Sequence, residues 1–423
     1  MQVQAPKGTK DVLPSESYRW QYLEGIIRQT CLKYGFKEVR TPVIEHTELF
    51  LRSIGDTTDI VQKEMYTFID KGDRSITLKP EGTAGIVRMF IEHGIFNESQ
   101  PTKLYYLNSP TFRYERPQAG RLREHHQFGV EMFGAMRASA DAECIMLAKG
   151  LFDTIGIKEL ELHLNSIGCP ECRPDYNRKL KAYFKEHVDE LCGTCRDRLE
   201  RNPLRILDCK EDRCKAVARL APKTIECLCQ ECADHLDELK LCLDATGTEY
   251  VIDPFVVRGL DYYTRTVFEF VSKHIGSQGT VCGGGRYDLL VEQSGGPHTP
   301  AVGFGLGMER LLMVAQNQGV EFPEQQRMDV YIVSMDEQTR IAGYKLANDL
   351  RGRGYIAEMD HIGRSVKAQF KYAGKMDAQF VAVIGQDELA KGVVKLKNMD
   401  TGEDAMAEMD NISDYIERWC EII

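Results

Sequence analysis

Two extended runs flank a charged loop between Lys103 and Gly134, and their alternation commits this part of the chain to a long antiparallel hairpin. Leu104–Leu107 and Thr111–Glu115 read as strand, and Gln127–Phe133 alternates again. The RPQAGRLREHH stretch between them is too polar and too rich in Gly and Pro for either regular element. Side chains two apart on a strand share a face, so Arg113 falls with Glu115, and Gln127 with Gly129 and Glu131. Phe128 and Val130 on the opposite face suit a core. Glycine in the middle of the polar row leaves the floor open, as a ligand lying on the sheet would require.

A chain of 423 residues has length for two or three domains of about 150 residues each. It carries 64 acidic against 54 basic side chains, a net charge of −10, which argues against holding nucleic acid by bulk charge but leaves room for a local basic loop. No run approaches the roughly 18 apolar residues of a membrane span. The N-terminal MQVQAPKGTKDVLP lacks the apolar stretch of a secretory leader. The expectation is a cytoplasmic protein without a membrane partner.

The first helix is marked by Trp20, Leu23, Ile27, Cys31 and Tyr34 at steps of three and four, with Pro14 and Ser15 at its start and Gly35 at its end. Phe36–Ile44 reads as a strand that Pro42 restricts to a sheet edge, where it would meet another chain. Helical periodicity returns over 141–155, strand resumes at Val251 and runs through 267–271 and 280–282, and GFGLGMERLL passes from strand to helix. Beyond a polar linker at 317–326, VYIVSM, YIAEM, FVAVIG and VVKLKN alternate with helical patterns at 338–353 and 366–375, which implies a small α/β domain with a largely parallel sheet. The expected division is therefore 1–164 and 251–320 as two parts of one domain, 165–250 as an insertion, and 327–423 as a C-terminal domain.

Ten of the fourteen cysteines lie in that insertion. Paired CxxC spacing in a large chain without a leader points to metal before disulfide. Cys169/Cys172 and Cys192/Cys195 have ligand spacing, and Cys227, Cys229 and Cys232 are placed to complete a second site with Cys209, Cys214 or Cys242. Structural zinc, an iron–sulfur cluster and buried free thiols are the three readings of this pattern.

Polar groups that suit chemistry recur in four further segments: LKPEGTAG with Glu81 and Thr83 at a helix entrance, RGLDYYTRTVFEF with Arg258, Tyr262 and Tyr263, CGGGRYD with its glycine run, and GFGLGMER delivering Arg310. None matches a phosphate-binding loop or a dinucleotide fingerprint, so bound phosphate would depend on arginines and sheet-borne groups.

KGTKDVLP, the first helix with the Pro42 strand, FRYERP with its returning strand, and GFGLGMERL together resemble the catalytic frame of the class II aminoacyl-tRNA synthetases. LKPEGTAG, RGLDYYTRTVFEF and CGGGRYD resemble the elements of the histidyl-tRNA synthetase family. The resemblance implies an α+β fold: a six-stranded antiparallel catalytic sheet flanked by helices, the Cys-rich and mainly helical insertion, and a C-terminal α/β anticodon-binding domain, with a homodimer built through the motif 1 region. It implies ATP with Mg²⁺, L-histidine and tRNA(His) as substrates and partners. By the same resemblance Arg113 would hold the α-phosphate, Glu115 and Arg121 the nucleotide, and Arg310 the γ-phosphate. Glu81, Thr83 and Gln127 would receive the substrate ammonium, Glu131 and Tyr263 the imidazole with Tyr262 beside them, and Arg258 would sit between substrate carboxylate and α-phosphate. Gln118 and Arg123 in the hairpin loop would contact tRNA. The competing readings are a non-catalytic paralogue, such as a regulatory subunit of ATP phosphoribosyltransferase, and a protein whose metal module is primary. Arg113, Arg258 and the C-terminal domain stand against the first, and the four polar segments against the second.

Overall fold

In the computed structural model, which describes residues 3–420 apart from 56, 57, 59, 119 and 274–278, the chain divides between Pro323 and Glu324 into two units. The last three residues of the expected 327–423 domain lie outside the described residues. The first unit is built on an eight-stranded sheet in the order Lys37–Glu38, Thr102–Phe112, Glu124–Phe133, Ala301–Gly307, Thr280–Arg286, Thr264–Val271, Glu161–Ser166, Val251–Ile252. The six central strands pair antiparallel, and a two-residue strand adds to each edge in parallel. The antiparallel six match the frame expected from sequence, with the two edge strands as an extension.

Two local expectations are corrected. Phe36–Ile44 is not one strand: Lys37–Glu38 joins the large sheet, whereas Ile44–His46 pairs with Ser75–Leu78 in a separate three-stranded sheet. Pro42, without a donor for either ladder, lies between them. The outgoing hairpin strand stops at Phe112, so Arg113 and Glu115 follow in a turn where the Glu115 N–H bonds the Arg113 carbonyl at 2.8 Å. Their shared location comes from that turn and not from strand alternation.

The apolar face of the sheet takes the helices Pro14–Lys33, Ala138–Ile155 and Met308–Asn317, with Leu23, Ile27, Leu147, Leu151, Leu311 and Val314 closing over Phe128, Val130, Phe268 and Phe304. All of these are almost fully buried, each contributing about 1.5–3 kcal/mol of transfer free energy. The Cys-rich segment contains five α-helices, Arg173–Glu186, Gly193–Arg201, Leu204–Leu207, Asp212–Ala218 and Gln230–Ala245. It leaves the sheet after Glu161–Ser166 and returns at Val251–Ile252, beside the strand it left, with His163 opposite Val251. Such a connection can be made without disturbing the strand order.

The second unit holds a five-stranded sheet in the order Ala357–Met359, Val330–Ser334, Phe380–Ile384, Val393–Asn398, Asp404–Glu408. The first three strands are parallel and the last two antiparallel. Val330, Ile332, Phe380, Ala382 and Leu396 form its core. No helix of the described residues is long and apolar enough to cross a membrane.

A buried ion pair ties three parts of the first unit together. Arg286 has no exposed side-chain surface and directs its Nε and Nη2 to Asp141, Nη1 to Asp288 at 3.0 Å and to the Ala135 carbonyl at 2.8 Å, and Nη2 also to the Arg137 carbonyl at 3.2 Å. Every guanidinium N–H is thus matched. His235, on the last helix of the Cys-rich segment, reaches the same Asp141 carboxylate at 3.4 Å. Burial alone would push the Asp141 carboxyl up, but Arg286 and His235 hold it down at about 2. A carboxylate so depressed adds stability above its ordinary value of 3.8 and loses that contribution as pH falls toward 2. Asp141→Asn removes one of the two carboxylates that face the buried Arg286, leaving Asp288 as its counter-charge, and is expected to cost about 3–5 kcal/mol of unfolding free energy at neutral pH. Chemical denaturation followed by circular dichroism measures it; a midpoint equal to wild type would refute the role.

Candidate active site

The polar face of the sheet is the floor of a cleft of about 420 Å³. Strand register explains why the floor is open. Gly129 lies opposite Gly305, and Gly305 opposite Gly283, so three neighbouring strands present no side chain along one line. Tyr106 and Glu269 end that line on the next strands out. The space has specific occupants. A Cβ at residue 283 would come within 2.5 Å of the Arg258 guanidinium, and one at residue 129 would collide with the Tyr106 hydroxyl and ring. The glycines therefore let an arginine and a tyrosine lie over the backbone, which refines the expectation that they make room for ligand alone.

At one end of the cleft are two buried carboxyl groups. Glu81 precedes the helix Thr83–Glu92 and accepts from the Thr83 and Ala84 N–H groups, both at 2.8 Å, so it caps the helix N-terminus. Glu131 accepts from the Thr83 hydroxyl at 2.7 Å and from the Tyr287 hydroxyl. Burial pushes Glu81 up against the pull of those N–H groups. It raises Glu131 to about 8, with the hydrogen bonds from Tyr287 and Thr83 opposing the shift. Tyr106, Tyr262, Tyr263 and Tyr287 surround the pair, and the rings of Tyr262 and Tyr263 stand 4.7 Å apart. Two carboxyl groups whose ionised forms burial disfavours are a receptor for a ligand bearing positive charge and N–H donors, which supplies the missing counter-charge.

The other end is cationic. Arg113, Arg121, Arg258 and Arg310 all line the cleft with Glu115 and His125. Arg113 Nε donates to the Pro80 carbonyl at 2.8 Å, Arg121 pairs with Glu115 at 2.5 Å, and Arg310 donates to the Thr280 carbonyl at 2.6 Å. Arg258 pairs with Glu269, whose other oxygen accepts from the Thr280 hydroxyl at 2.7 Å. Burial lowers the pKa of Arg113, and burial with the nearby Arg121 lowers that of Arg310, the signature of positive charges waiting for an anion. His125 is driven down to about 3 by burial and by Arg113 and Arg121, so it is neutral at working pH.

Among the described residues, three buried polar atoms in the cleft have no hydrogen-bond partner: Arg258 Nε, Gln127 Oε1 and His125 Nδ1. Unmatched buried atoms are rare in folded proteins. Their convergence on one cavity that carries both carboxyl groups and arginines marks it as a site for a polar ligand.

All eleven residues named from the sequence for amino-acid and nucleotide binding, Glu81, Thr83, Arg113, Glu115, Arg121, Gln127, Glu131, Arg258, Tyr262, Tyr263 and Arg310, line this cleft. Gln118 and Arg123 do not. Gln118 closes the loop tip by exchanging backbone hydrogen bonds with Arg121 and borders a separate cavity of about 280 Å³ with Trp20, His126 and Glu309. Arg123 stacks 4.1 Å over the Tyr114 ring and donates to the Glu115 carbonyl at 3.0 Å, so its guanidinium is already engaged. Sequence reading missed Tyr106, Glu269, Tyr287, Asp208 and Lys210 as cleft residues. Tyr106 hides in the apolar LYYL run, and Tyr287 and Glu269 stand in quoted motifs without a spacing that distinguishes them.

The cysteines group differently from the expected sets. Cys169, Cys172, Cys229 and Cys232 form one quartet, and Cys192, Cys195, Cys209 and Cys214 another. Cys227 belongs to neither; its sulfur lies 3.6 Å from the Lys179 amine. In the CLC run Cys227 and Cys229 are two apart, and only Cys229 sits at the N-cap of the helix Gln230–Ala245 that carries Cys232.

A family model described as Histidyl-tRNA synthetase matches residues 8–311, and one described as Anticodon binding domain matches residues 329–419. The chain is 57% identical to the histidine–tRNA ligase of Caldanaerobacter subterraneus subsp. tengcongensis over 98% of its own length and 100% of that protein. It is 56% identical to the corresponding enzyme of Alkaliphilus oremlandii, with 98% of each chain covered. The crystal structure of apo S. aureus histidyl-tRNA synthetase superposes with a TM-score of 0.83 at 39% identity, covering 98% of this chain and 100% of that one. With its class II catalytic sheet and a C-terminal anticodon-binding domain, this chain belongs to the histidyl-tRNA synthetase family.

Proposed function

We propose that the protein is a histidine–tRNA ligase that joins L-histidine to ATP as histidyl-adenylate and passes the histidyl group to the 3′ end of tRNA(His). The observation that carries this is the make-up of the cleft: two buried carboxyl groups and four arginines line one cavity, with Arg258 Nε and Gln127 Oε1 unmatched within it. Glu81, Thr83 and Gln127 take the α-ammonium. Glu131 and Tyr263, with Tyr262 packed against them, take the imidazole. Arg113, Glu115, Arg121 and Arg310 hold the nucleotide, and magnesium enters with ATP as part of that substrate.

In the first step the histidine carboxylate attacks the α-phosphorus, an O–P bond forms, and the bond to the β-phosphate oxygen breaks to release pyrophosphate. A carboxylate is already a nucleophile, so no side-chain base is needed, in keeping with a His125 that stays neutral. Negative charge grows on the α-phosphate oxygens, and guanidinium groups fixed by Glu269 and by the Pro80 carbonyl meet it without reorganising. In the second step a ribose hydroxyl of the terminal adenosine attacks the acyl carbon and AMP leaves. The hairpin tip carrying Gln118 and Arg123 is assigned to the tRNA acceptor end, with Arg123 acting through its stack on Tyr114.

The catalytic domain is assigned to 1–164 with 251–320, the insertion to 165–250 and the anticodon-binding domain to 327–423. The protein is assigned to the cytoplasm and to a homodimer formed through the motif 1 region.

Histidine-dependent exchange of labelled pyrophosphate into ATP tests the reading, and absence of exchange with every amino acid would sink it in favour of a regulatory paralogue. Arg258→Ala is expected to lower the exchange rate about 100-fold or more with unchanged circular dichroism; near-normal exchange refutes its role. The Glu131 carboxyl, faced by Glu81, Thr83 and Tyr287, must be ionised to accept from bound histidine. KM for histidine is therefore expected to rise as pH falls below about 8. Glu131→Gln should raise KM about 10- to 100-fold and flatten that dependence, and a wild-type KM flat across this range would count against the assignment.

A further inference from the structure

The two cysteine quartets have a geometry that selects among the chemistries open to thiols. In the first, Cys169 Sγ lies 3.8 Å from Cys172 and 3.7 Å from Cys229, and Cys172 lies 3.9 Å from Cys232. In the second, Cys192 and Cys209 are 3.9 Å apart, and within each quartet all four sulfurs fall within 4.8 Å of one another. A disulfide requires about 2.05 Å. A tetrahedron with metal–sulfur bonds of about 2.3 Å has edges of about 3.75 Å. A cluster of four irons, with its sulfides between the thiolates, would hold them farther apart. Backbone N–H groups already point at the sulfurs: Cys169 to Cys172 and Cys192 to Cys214, each at 3.2 Å, and Cys195 to Cys192 at 3.4 Å. Gly168, at φ +73°, is itself required, because a Cβ there would stand 2.7 Å from the Cys172 sulfur.

Residues that flank both quartets grip the loop carrying Arg258, Tyr262 and Tyr263. Arg173, next to Cys172, donates to the Tyr263 carbonyl at 2.5 Å and to the Gly168 carbonyl at 3.2 Å. Between Cys195 and Cys209, Asn202 donates to Asp261 at 2.7 Å and Arg205 to the Gly259 carbonyl at 2.7 Å. Asp208 and Lys210, on either side of Cys209, line the cleft itself. The helices of this stretch, Gly193–Arg201, Leu204–Leu207 and Asp212–Ala218, are short, and short helices hold position only through what they pack on or ligate.

We propose that Cys169/Cys172/Cys229/Cys232 and Cys192/Cys195/Cys209/Cys214 are two structural tetrathiolate zinc sites, and that they brace the 258–263 loop from both sides so that its side chains are in place for histidine. Four protein sulfurs leave no open coordination position, so neither metal takes part in the chemistry. The first site closes the base of the insertion, joining its first helix to its last. The second fixes the turn from which Asn202, Arg205 and Asp208 reach the active site. The bracing half rests on the histidine-binding role assigned to that loop; the metal half does not.

Elemental analysis of the full chain, purified without chelator or added metal, is expected to find two zinc per chain. One or none, or iron in their place, overturns the assignment. Cys209→Ser with Cys214→Ser should lose one zinc and raise KM for histidine in pyrophosphate exchange roughly tenfold, with kcat changing much less. Arg205→Ala, which removes a brace while sparing every cysteine, should keep both zincs and raise KM in the same way, so a folding defect in the cysteine variant does not decide the matter. Unchanged KM in Arg205→Ala refutes the bracing. Zinc-loaded wild type without exchange activity would instead count against the ligase reading and leave the metal assignment standing.

Discussion

The absence of side chains along one line of the sheet is the constraint on which the active site depends. Arg258 and Tyr106 occupy space that any residue other than glycine at 283 or 129 would fill. Arg258 is thereby held against the strand it crosses, paired with Glu269 on the next strand, and its Nε is left facing the cavity. Gly283 and Gly129 make these two close approaches possible, and Gly305 between them keeps the floor open. A slip of one residue in the strand of Gly129 or of Gly305 would turn a large apolar side chain into the cleft and a glycine into the core.

Two buried arginines in the same domain show how hydrogen-bond accounting separates structure from chemistry. Arg286 spends every donor on Asp141, Asp288 and two backbone carbonyls, and it anchors the sheet to its helices. Arg258 keeps a donor unmatched and lines the cleft. The carboxylates divide likewise. Asp141 is held ionised by its partners, whereas burial leaves Glu131 near neutrality until a positively charged ligand arrives.

The Cys-rich segment lies outside the sheet yet is mechanically part of the site. Its last helix joins the core through His235 and Asp141, and its earlier turns hold the 258–263 loop through Arg173, Asn202 and Arg205. An insertion that leaves and rejoins the sheet at neighbouring strands can vary in length without altering the frame. What it contributes locally is a second set of hydrogen bonds to a loop that is also held by the Asp261 N–H on the Ile54 carbonyl at 3.2 Å and by Arg258 on Glu269.

Much of this was legible in the chain. Period-two alternation at 127–133 and period-three-and-four spacing at Trp20–Tyr34 marked those elements, because such patterns reflect which face of a strand or helix is buried, and the resemblance of the polar segments to the histidyl-tRNA synthetase family named the eleven cleft residues. Spacing also marked the cysteines as ligand-like. The tertiary structure alone decided the rest: that Pro42 divides two short strands, that Cys209 and Cys214 and not Cys227 complete the quartets, that Arg123 lies on Tyr114, and that Tyr106, Glu269 and Tyr287 face the ligand space. Each of these is a contact between segments distant in sequence. Sequence periodicity reports the face a residue turns toward or away from the core, whereas the partner it meets there is set by strand order, register and the path of the loops between.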